Sequence, residues 1–137
     1  MTTMEGGCFC GALRYRVGGD FGVTHCHCIH CRKISGAAFV TWVEASFSNF
    51  AWLQGQPNEF NPRPGVTRTY CSRCGSPLTY QNRESPDSID ITAGSLDDPS
   101  ELKPRDHVWF DRKLPWLQIE DDLPRYSRGR RDSLQGE

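Results

Sequence analysis

Residues 25–31 read His-Cys-His-Cys-Ile-His-Cys, six zinc-seeking side chains in seven positions. Zinc takes four sulfur or nitrogen ligands in a tetrahedron, so this run offers more candidates than one ion needs. Four further cysteines stand apart from it: Cys8 and Cys10 as C-x-C, and Cys71 and Cys74 as C-x-x-C. Seven is an odd number for disulfide pairing. The first residues, MTTMEGGCFC, lack the charged-then-apolar pattern of a secretory signal. A cytoplasmic location is therefore expected, where thiols stay reduced and clustered cysteines read as metal ligands.

The spacings sort the seven. In YCSRCGS, a two-residue gap followed by Gly75 makes a turn that aims Cys71 and Cys74 at one metal. A turn of this kind supplies two ligands and needs two more. Cys8 and Cys10 lie two apart, so an extended backbone points both to the same side. Together the four would close a structural zinc site whose binding energy is folding energy. Cys26, Cys28 and Cys31 remain. Three protein ligands and an open fourth position is the pattern of a catalytic zinc; a second structural site closed by a histidine is the alternative. His25 and His27 alternate with Cys26 and Cys28 and are expected to face away from the metal. His30 or His107 could close the site.

Other side chains near the middle run invite a role. Arg32 and Lys33 follow the last ligand and could offset thiolate charge, meet a substrate carboxylate, or simply face solvent. His27 and His30 are candidates for proton transfer, because imidazole titrates near neutrality, with support of the metal site or surface exposure as the plainer reading. Trp42, Trp52, Trp109 and Trp116 could line a pocket, and core packing is the plainer role for most of them.

The elements that must position these residues are short. The 137 residues suit one domain, 1–137, with 127–137 as a frayed tail. Hydrophobic residues make up 36% and the mean hydropathy is −0.61, so the core is thin and metal staples would help it. Alternating or β-branched and aromatic stretches predict strands at 13–17, 38–43, 47–53, 66–70, 88–93 and 107–110. Turn-forming clusters at 18–20, 61–65, 81–87 and 96–100 separate them. Residues 29–35 and 97–103 could each form a turn or two of helix. The expectation is a mainly all-β chain built of several small sheets. A net charge of −1 gives no general attraction to nucleic acid, and the basic RGRR at 128–131 reads as a solvated end. No apolar run approaches the roughly 20 residues of a membrane span, so neither nucleic acid nor membrane is an expected partner. Nothing in the sequence fixes an oligomeric state.

The order of the cysteine clusters resembles the glutathione-dependent formaldehyde-activating (GFA) family, which includes centromere protein V. The resemblance runs through GGCFCGALRYRV (6–17), HCHCIHCRKISGAAF (25–39), FAWLQG (50–55), TYCSRCGSPLTY (69–80), ITAGSLDDP (91–99) and HVWFDRKLPWLQIEDDLPRY (107–126). It implies several small, coiled antiparallel sheets around two zinc ions per chain. It also implies a structural zinc on Cys8, Cys10, Cys71 and Cys74 and an active-site zinc on Cys26, Cys28 and Cys31.

The family's activity joins glutathione to formaldehyde, reversibly giving S-hydroxymethylglutathione. The resemblance therefore implies a carbon–sulfur lyase whose partners are a small-molecule thiol, such as glutathione, and an aldehyde. A free thiol, with pKa about 8.5, is mostly protonated at neutral pH; a metal would deprotonate it and hold it near the aldehyde carbon, or would polarise the carbonyl oxygen. The rival reading is a non-catalytic interaction module in which both zincs are structural. The occupant of the middle site's fourth position discriminates the two.

Overall fold

The computed structural model describes residues 2–129; residues 130–137, most of the expected frayed tail and the end of the RGRR stretch, lie outside the described residues. In chain order the elements are β1 (Thr3–Gly7), β2 (Arg14–Gly18), β3 (Gly22–Cys26), α1 (Ile29–Ser35), β4 (Val40–Ser46), β5 (Phe50–Gln54), β6 (Asn58–Phe60), β7 (Val66–Tyr70), β8 (Pro77–Asn82), β9 (Ser88–Thr92) and β10 (Asp106–Val108). Single 3-10 turns occupy Phe47–Asn49, Ala93–Ser95 and Phe110–Arg112. The chain divides into two compact units, residues 2–22 with 43–102 and residues 23–42 with 103–129, and the division falls within β4.

The first unit holds two antiparallel arrays. One is ordered β1-β2-β5, the other β9-β8-β7-β6. Alternation in β2 buries Tyr15 and Val17 completely and turns Arg14 and Arg16 outward. The Tyr15 ring stacks on Phe50 at 5.5 Å, meets Trp52 edge-on at 6.0 Å, and its hydroxyl pairs with Ser95 Oγ at 2.7 Å. Gly6 makes room for it, since a Cβ there would stand 2.5 Å from the Tyr15 hydroxyl oxygen. Burying such a side chain contributes about 2–3 kcal/mol, a large share for a core this thin. Arg14 donates two hydrogen bonds to the Asp97 carboxylate, at 2.8 and 2.5 Å, across the outer face.

The second unit has the strand order β10-β3-β4, with α1 following β3. Here the expected antiparallel pattern gives way: β3 and β10 run parallel, with Asp106, His107 and Val108 opposite Thr24, His25 and Cys26. Residues 124–128 run along β10 as well. His107 N–H donates to Pro124 O, and Tyr126 N–H donates to His107 O, both at 2.9 Å. This tie brings the 121–125 segment beside β10.

Most predicted strands are present within a residue or three of their expected bounds. The strand expected over 107–110 ends at Val108, because Trp109 takes a left-handed backbone (φ 53°) and a 3-10 turn follows. The strand expected over 47–53 opens with a 3-10 turn at Phe47–Asn49 and becomes extended from Phe50. The helix over 29–35 is present. The one considered for 97–103 is not: Asp98 accepts from the Ser100 N–H and hydroxyl, capturing the backbone in a turn around Pro99.

Candidate metal centres

Two loops build the four-cysteine cluster in the first unit. After β1 the chain turns so that Gly11 N–H donates to Cys8 O at 3.1 Å and Leu13 N–H donates to Cys8 Sγ at 3.2 Å. Between β7 and β8 a matching turn forms: Gly75 N–H donates to Cys71 O at 2.8 Å, and Arg73 N–H donates to Cys71 Sγ at 3.4 Å. Gly11 and Gly75 both have positive φ, 83° and 81°, a left-handed backbone that closes each turn onto the cysteine carbonyl. Phe9 N–H donates to Ser76 Oγ at 3.0 Å and links the two turns.

The four sulfurs of Cys8, Cys10, Cys71 and Cys74 lie within 4.8 Å of one another. Cys8 and Cys10 are 3.6 Å apart, Cys10 and Cys71 3.7 Å. All are free thiols, and these separations are far beyond a disulfide's roughly 2.05 Å. They match the edge of a tetrahedron with metal–sulfur bonds of about 2.3 Å, which is about 3.8 Å. The Ser76 hydroxyl and amide hold the Cys74 thiol down to about 5, so one sulfur is disposed to be thiolate already. The donor set fits a soft divalent ion, and the cluster could hold one.

The second unit carries the three-cysteine cluster. Cys26 ends β3, Cys28 caps α1 with extended dihedrals (φ −65°, ψ 156°), and Cys31 sits in the helix's first turn. Their sulfurs also lie within 4.8 Å of one another, Cys26 and Cys31 at 3.5 Å. Cys31 N–H donates to Cys28 Sγ at 3.3 Å. The buried indole of Trp42 donates its Nε1–H to Cys31 Sγ at 3.4 Å. Helix α1 stops at Gly36, whose left-handed backbone returns an N–H to Arg32 O at 2.8 Å. The sulfurs of Cys28 and Cys31 crowd Cys26, and with burial they push its thiol far up. Three sulfurs this close, two of them buried, can all be thiolates only beside a cation, so this trio too fits a metal ion. Cys26 and Cys31 are buried while Cys28 is half-buried, giving the cluster one side toward solvent.

Among the described residues, no histidine or carboxylate shares the three-sulfur group. His30 is exposed, as is Lys33, and Arg32 is half-buried. The remaining histidines have other partners. His25 and His27 lie two apart in an extended segment, on the opposite side from Cys26, as alternation requires. His25 Nδ1 pairs with Thr41 Oγ1 at 2.7 Å. His27 Nε2 lies 2.9 Å from His107 Nδ1, and His107 Nε2 lies 2.9 Å from Asp121 Oδ2. Arg125 backs the same carboxylate at 3.3 Å. Both His27 and His107 are 1% exposed. Burial, with His107 beside it, pushes His27 down to about 4, so its ring is neutral at physiological pH. Burial raises the Asp121 carboxyl, but hydrogen bonds from His107 and the Leu123 amide and the charge of Arg125 outweigh it, leaving a net lowering.

Of the four tryptophans, Trp42 touches a cluster sulfur, Trp52 packs on Tyr15 and Phe50, and Trp116 is 71% exposed. The residues that spacing could not single out are Trp42 and Asp121. A donor meeting a sulfur eleven positions away leaves no periodic trace, and Asp121 is one acidic residue of the three in IEDD.

The sequence profile of the glutathione-dependent formaldehyde-activating enzyme family matches residues 3–112. A Halomonas elongata protein named "Putative glutathione-dependent formaldehyde-activating enzyme" is 29% identical over 129 residues, covering 85% of this chain and 81% of its own. A crystal structure of a Rhodobacter sphaeroides protein is similar with a TM-score of 0.55 and 26% identity, covering 74% of this chain and 93% of its own.

Proposed function

This chain belongs to the glutathione-dependent formaldehyde-activating family, and from that premise we propose that it is a zinc-dependent carbon–sulfur lyase. The reaction is the reversible addition of a small thiol to an aldehyde, with glutathione and formaldehyde as the reference pair. The thiol sulfur bonds the carbonyl carbon, the C=O π bond opens, and the thiol proton ends on oxygen; the reverse breaks the carbon–sulfur bond. Nothing is oxidised or reduced. Zinc ions are assigned to both clusters, a structural one to Cys8, Cys10, Cys71 and Cys74 and a working one to Cys26, Cys28 and Cys31.

The observation that carries this reading is the ligand count. The first cluster gathers four sulfurs and the second three, with no histidine or carboxylate among the described residues to fill the second. Cys26, Cys28 and Cys31 would hold a zinc ion by three thiolates, and the ion would supply one further position for a substrate thiol sulfur or carbonyl oxygen. The chain's own groups prepare that position. Trp42 Nε1–H and the Cys31 amide donate to cluster sulfurs and stabilise them as thiolates. Half-buried Cys28 leaves the approach on its side.

We read the whole chain as one functional domain and the protein as cytoplasmic, because clusters of free thiols need a reducing compartment. No helix among the described residues is long and apolar enough to cross a membrane.

Exchange NMR on the zinc-loaded protein tests the reaction. Formaldehyde with glutathione, and with other small thiols, should interconvert with its adduct faster than in buffer. The acceleration should vanish in Cys28→Ser, which keeps all four ligands of the other site. No acceleration with any thiol would overturn the lyase reading and leave a two-zinc interaction module.

A further inference from the structure

The residue between Cys26 and Cys28 is the inner end of a buried hydrogen-bond chain. Asp121, its carboxyl held below the usual range, is an acceptor only. His107 Nε2, at 2.9 Å from Oδ2 and 3.2 Å from Oδ1, must therefore carry the hydrogen of that bond. In its neutral form the imidazole has one N–H, so His107 Nδ1 is then left as a lone pair. That lone pair can only accept, which makes His27 the donor through Nε2 at 2.9 Å. His27 Nδ1 then has no hydrogen. It is also buried without a hydrogen-bond partner among the described residues. With His107 neutral, each link follows from the one before it, and the chain begins at a residue 94 positions from His27.

The surroundings hold the chain in place. The His107 ring lies 4.9 Å from that of His25 and 5.5 Å from Phe110. The His27 ring is 5.0 Å from Phe39 and 5.3 Å from Phe110. His27 N–H donates to Val108 O at 3.1 Å, which fastens the backbone between the two cysteines to the end of β10. Ring and backbone of His27 are thus anchored on the same strand.

We propose that Asp121 and His107 are positioning residues for the three-cysteine site: they set the tautomer and the orientation of His27, and so fix the backbone that aims the Cys26 and Cys28 sulfurs. No change of protonation state is involved. Partners that hydrogen-bond metal ligands directly are worth about 10–100-fold in metal affinity; acting through His27, which lies between two of the cysteines, these two are expected at the low end of that range. The inference rests on these cysteines holding a metal ion. It does not depend on which reaction they serve.

Two measurements test it. The first is nitrogen-15 NMR of the histidine rings in the zinc-loaded protein at pH 8, above the ordinary imidazole range. His27 and His107 should both show hydrogen on Nε2. In Asp121→Asn the amide can donate to His107 Nε2, a swap that keeps shape but reverses the tautomer. Both rings should then carry hydrogen on Nδ1. A His27 tautomer unchanged by Asp121→Asn would overturn the relay. The second is cobalt titration of the full chain, read from thiolate charge-transfer and d–d bands. His107→Phe should weaken cobalt at the three-cysteine site about tenfold and leave the four-cysteine site as it was. Equal affinity at the three-cysteine site would overturn the positioning role. Asp121→Ala, which removes the acceptor at the partly exposed end of the chain, carries the test if His107→Phe does not fold. Both measurements omit thiol and aldehyde, so their failure is distinct from failure of the lyase reading.

Discussion

Cys10 Sγ lies 3.7 Å from Cys71 Sγ, although 61 positions separate the two residues. The contact joins the turn after β1 to the turn after β7, and the backbone amides of both turns already point at sulfurs. With a metal ion on four sulfurs that lie within 4.8 Å of one another, and a thin core around them, metal binding and folding would be one process. Cys71→Ser removes a buried sulfur of the cluster and would leave a bound zinc one ligand short. We expect it to lose the zinc of this site, counted by elemental analysis, and to lower the melting temperature by at least about 10 °C or abolish cooperative melting. Wild-type melting with one zinc missing would show that the site does not hold the fold.

Cys28→Ser should behave differently. Cys28 is half-buried and caps α1 with its sulfur, a role that a serine hydroxyl also performs. The variant is expected to stay within about 1 kcal/mol of wild type in denaturant melts while retaining one zinc instead of two. Failure to fold would mean that the three-cysteine site is structural as well.

Chelation should separate the two sites by rate. Three of the four sulfurs in the first cluster belong to buried or half-buried residues, and a metal ion there would find all four positions filled by protein sulfurs. A metal ion on the three-sulfur cluster would keep a position that a chelator can enter. Stopped-flow release into a chromophoric chelator should therefore be biphasic, with the fast phase lost in Cys28→Ser. A single phase of unchanged rate would contradict the assignment of an open position.

The grouping of the cysteines into a four and a three was readable because side chains that could share one metal recur at short spacings, and a C-x-x-C-G turn leaves its glycine in the sequence. Helix α1 was readable for the same reason: its bounds are set by Cys28 as cap and Gly36 as stop. The strands with clear alternation, 13–17 and 66–70, were readable because one face must be buried. What could not be read depends on long-range pairing. β10 is three residues long and parallel to β3, a register that no local pattern encodes. The left-handed turn at Trp109 defeated the expected strand over 107–110, since a bulky residue with positive φ contradicts its own propensity. The histidine chain shares this character: its three members are found only by folding residues 25–27, 107 and 121 together.

The Arg14–Asp97 pair gives a pH-dependent prediction with a definite sign. The hydrogen bonds from Arg14 come first among the causes that lower the Asp97 carboxyl in the folded protein. A folded pKa below the unfolded one adds stability above the unfolded value, about 3.9, and that stability is lost as pH falls through the folded value. Both side chains are partly exposed, 30% for Arg14 and 54% for Asp97, so screening limits the pair to about 0.5 kcal/mol. Asp97→Asn should accordingly melt slightly below wild type at pH 7, and the difference should vanish once the pH is low enough to protonate the folded Asp97. A difference that persists unchanged into strong acid would assign the effect to packing rather than charge.

Two glycines with almost the same backbone angle separate strain from collision. Gly55 and Gly75 both have φ 81°. A Cβ at Gly55 would stand 2.4 Å from Ala12 O and 2.6 Å from a Leu13 methyl, whereas a Cβ at Gly75 meets nothing within 4 Å. Alanine at Gly75 therefore pays only the left-handed backbone, about 1–2 kcal/mol, and asparagine, which tolerates that region, should recover part of it. Alanine at Gly55 pays the same strain and must also displace the Ala12 carbonyl in the turn that precedes β2, so it should cost about 3 kcal/mol or more, with no recovery by asparagine. Because Ala12 and Leu13 belong to the loop that carries Cys8 and Cys10, Gly55→Ala should also weaken zinc at the four-cysteine site. Chemical denaturation of the four variants, with zinc content measured in parallel, checks both halves; equal losses at the two positions would show that the loop yields freely and that the close approach at Gly55 is not what holds it.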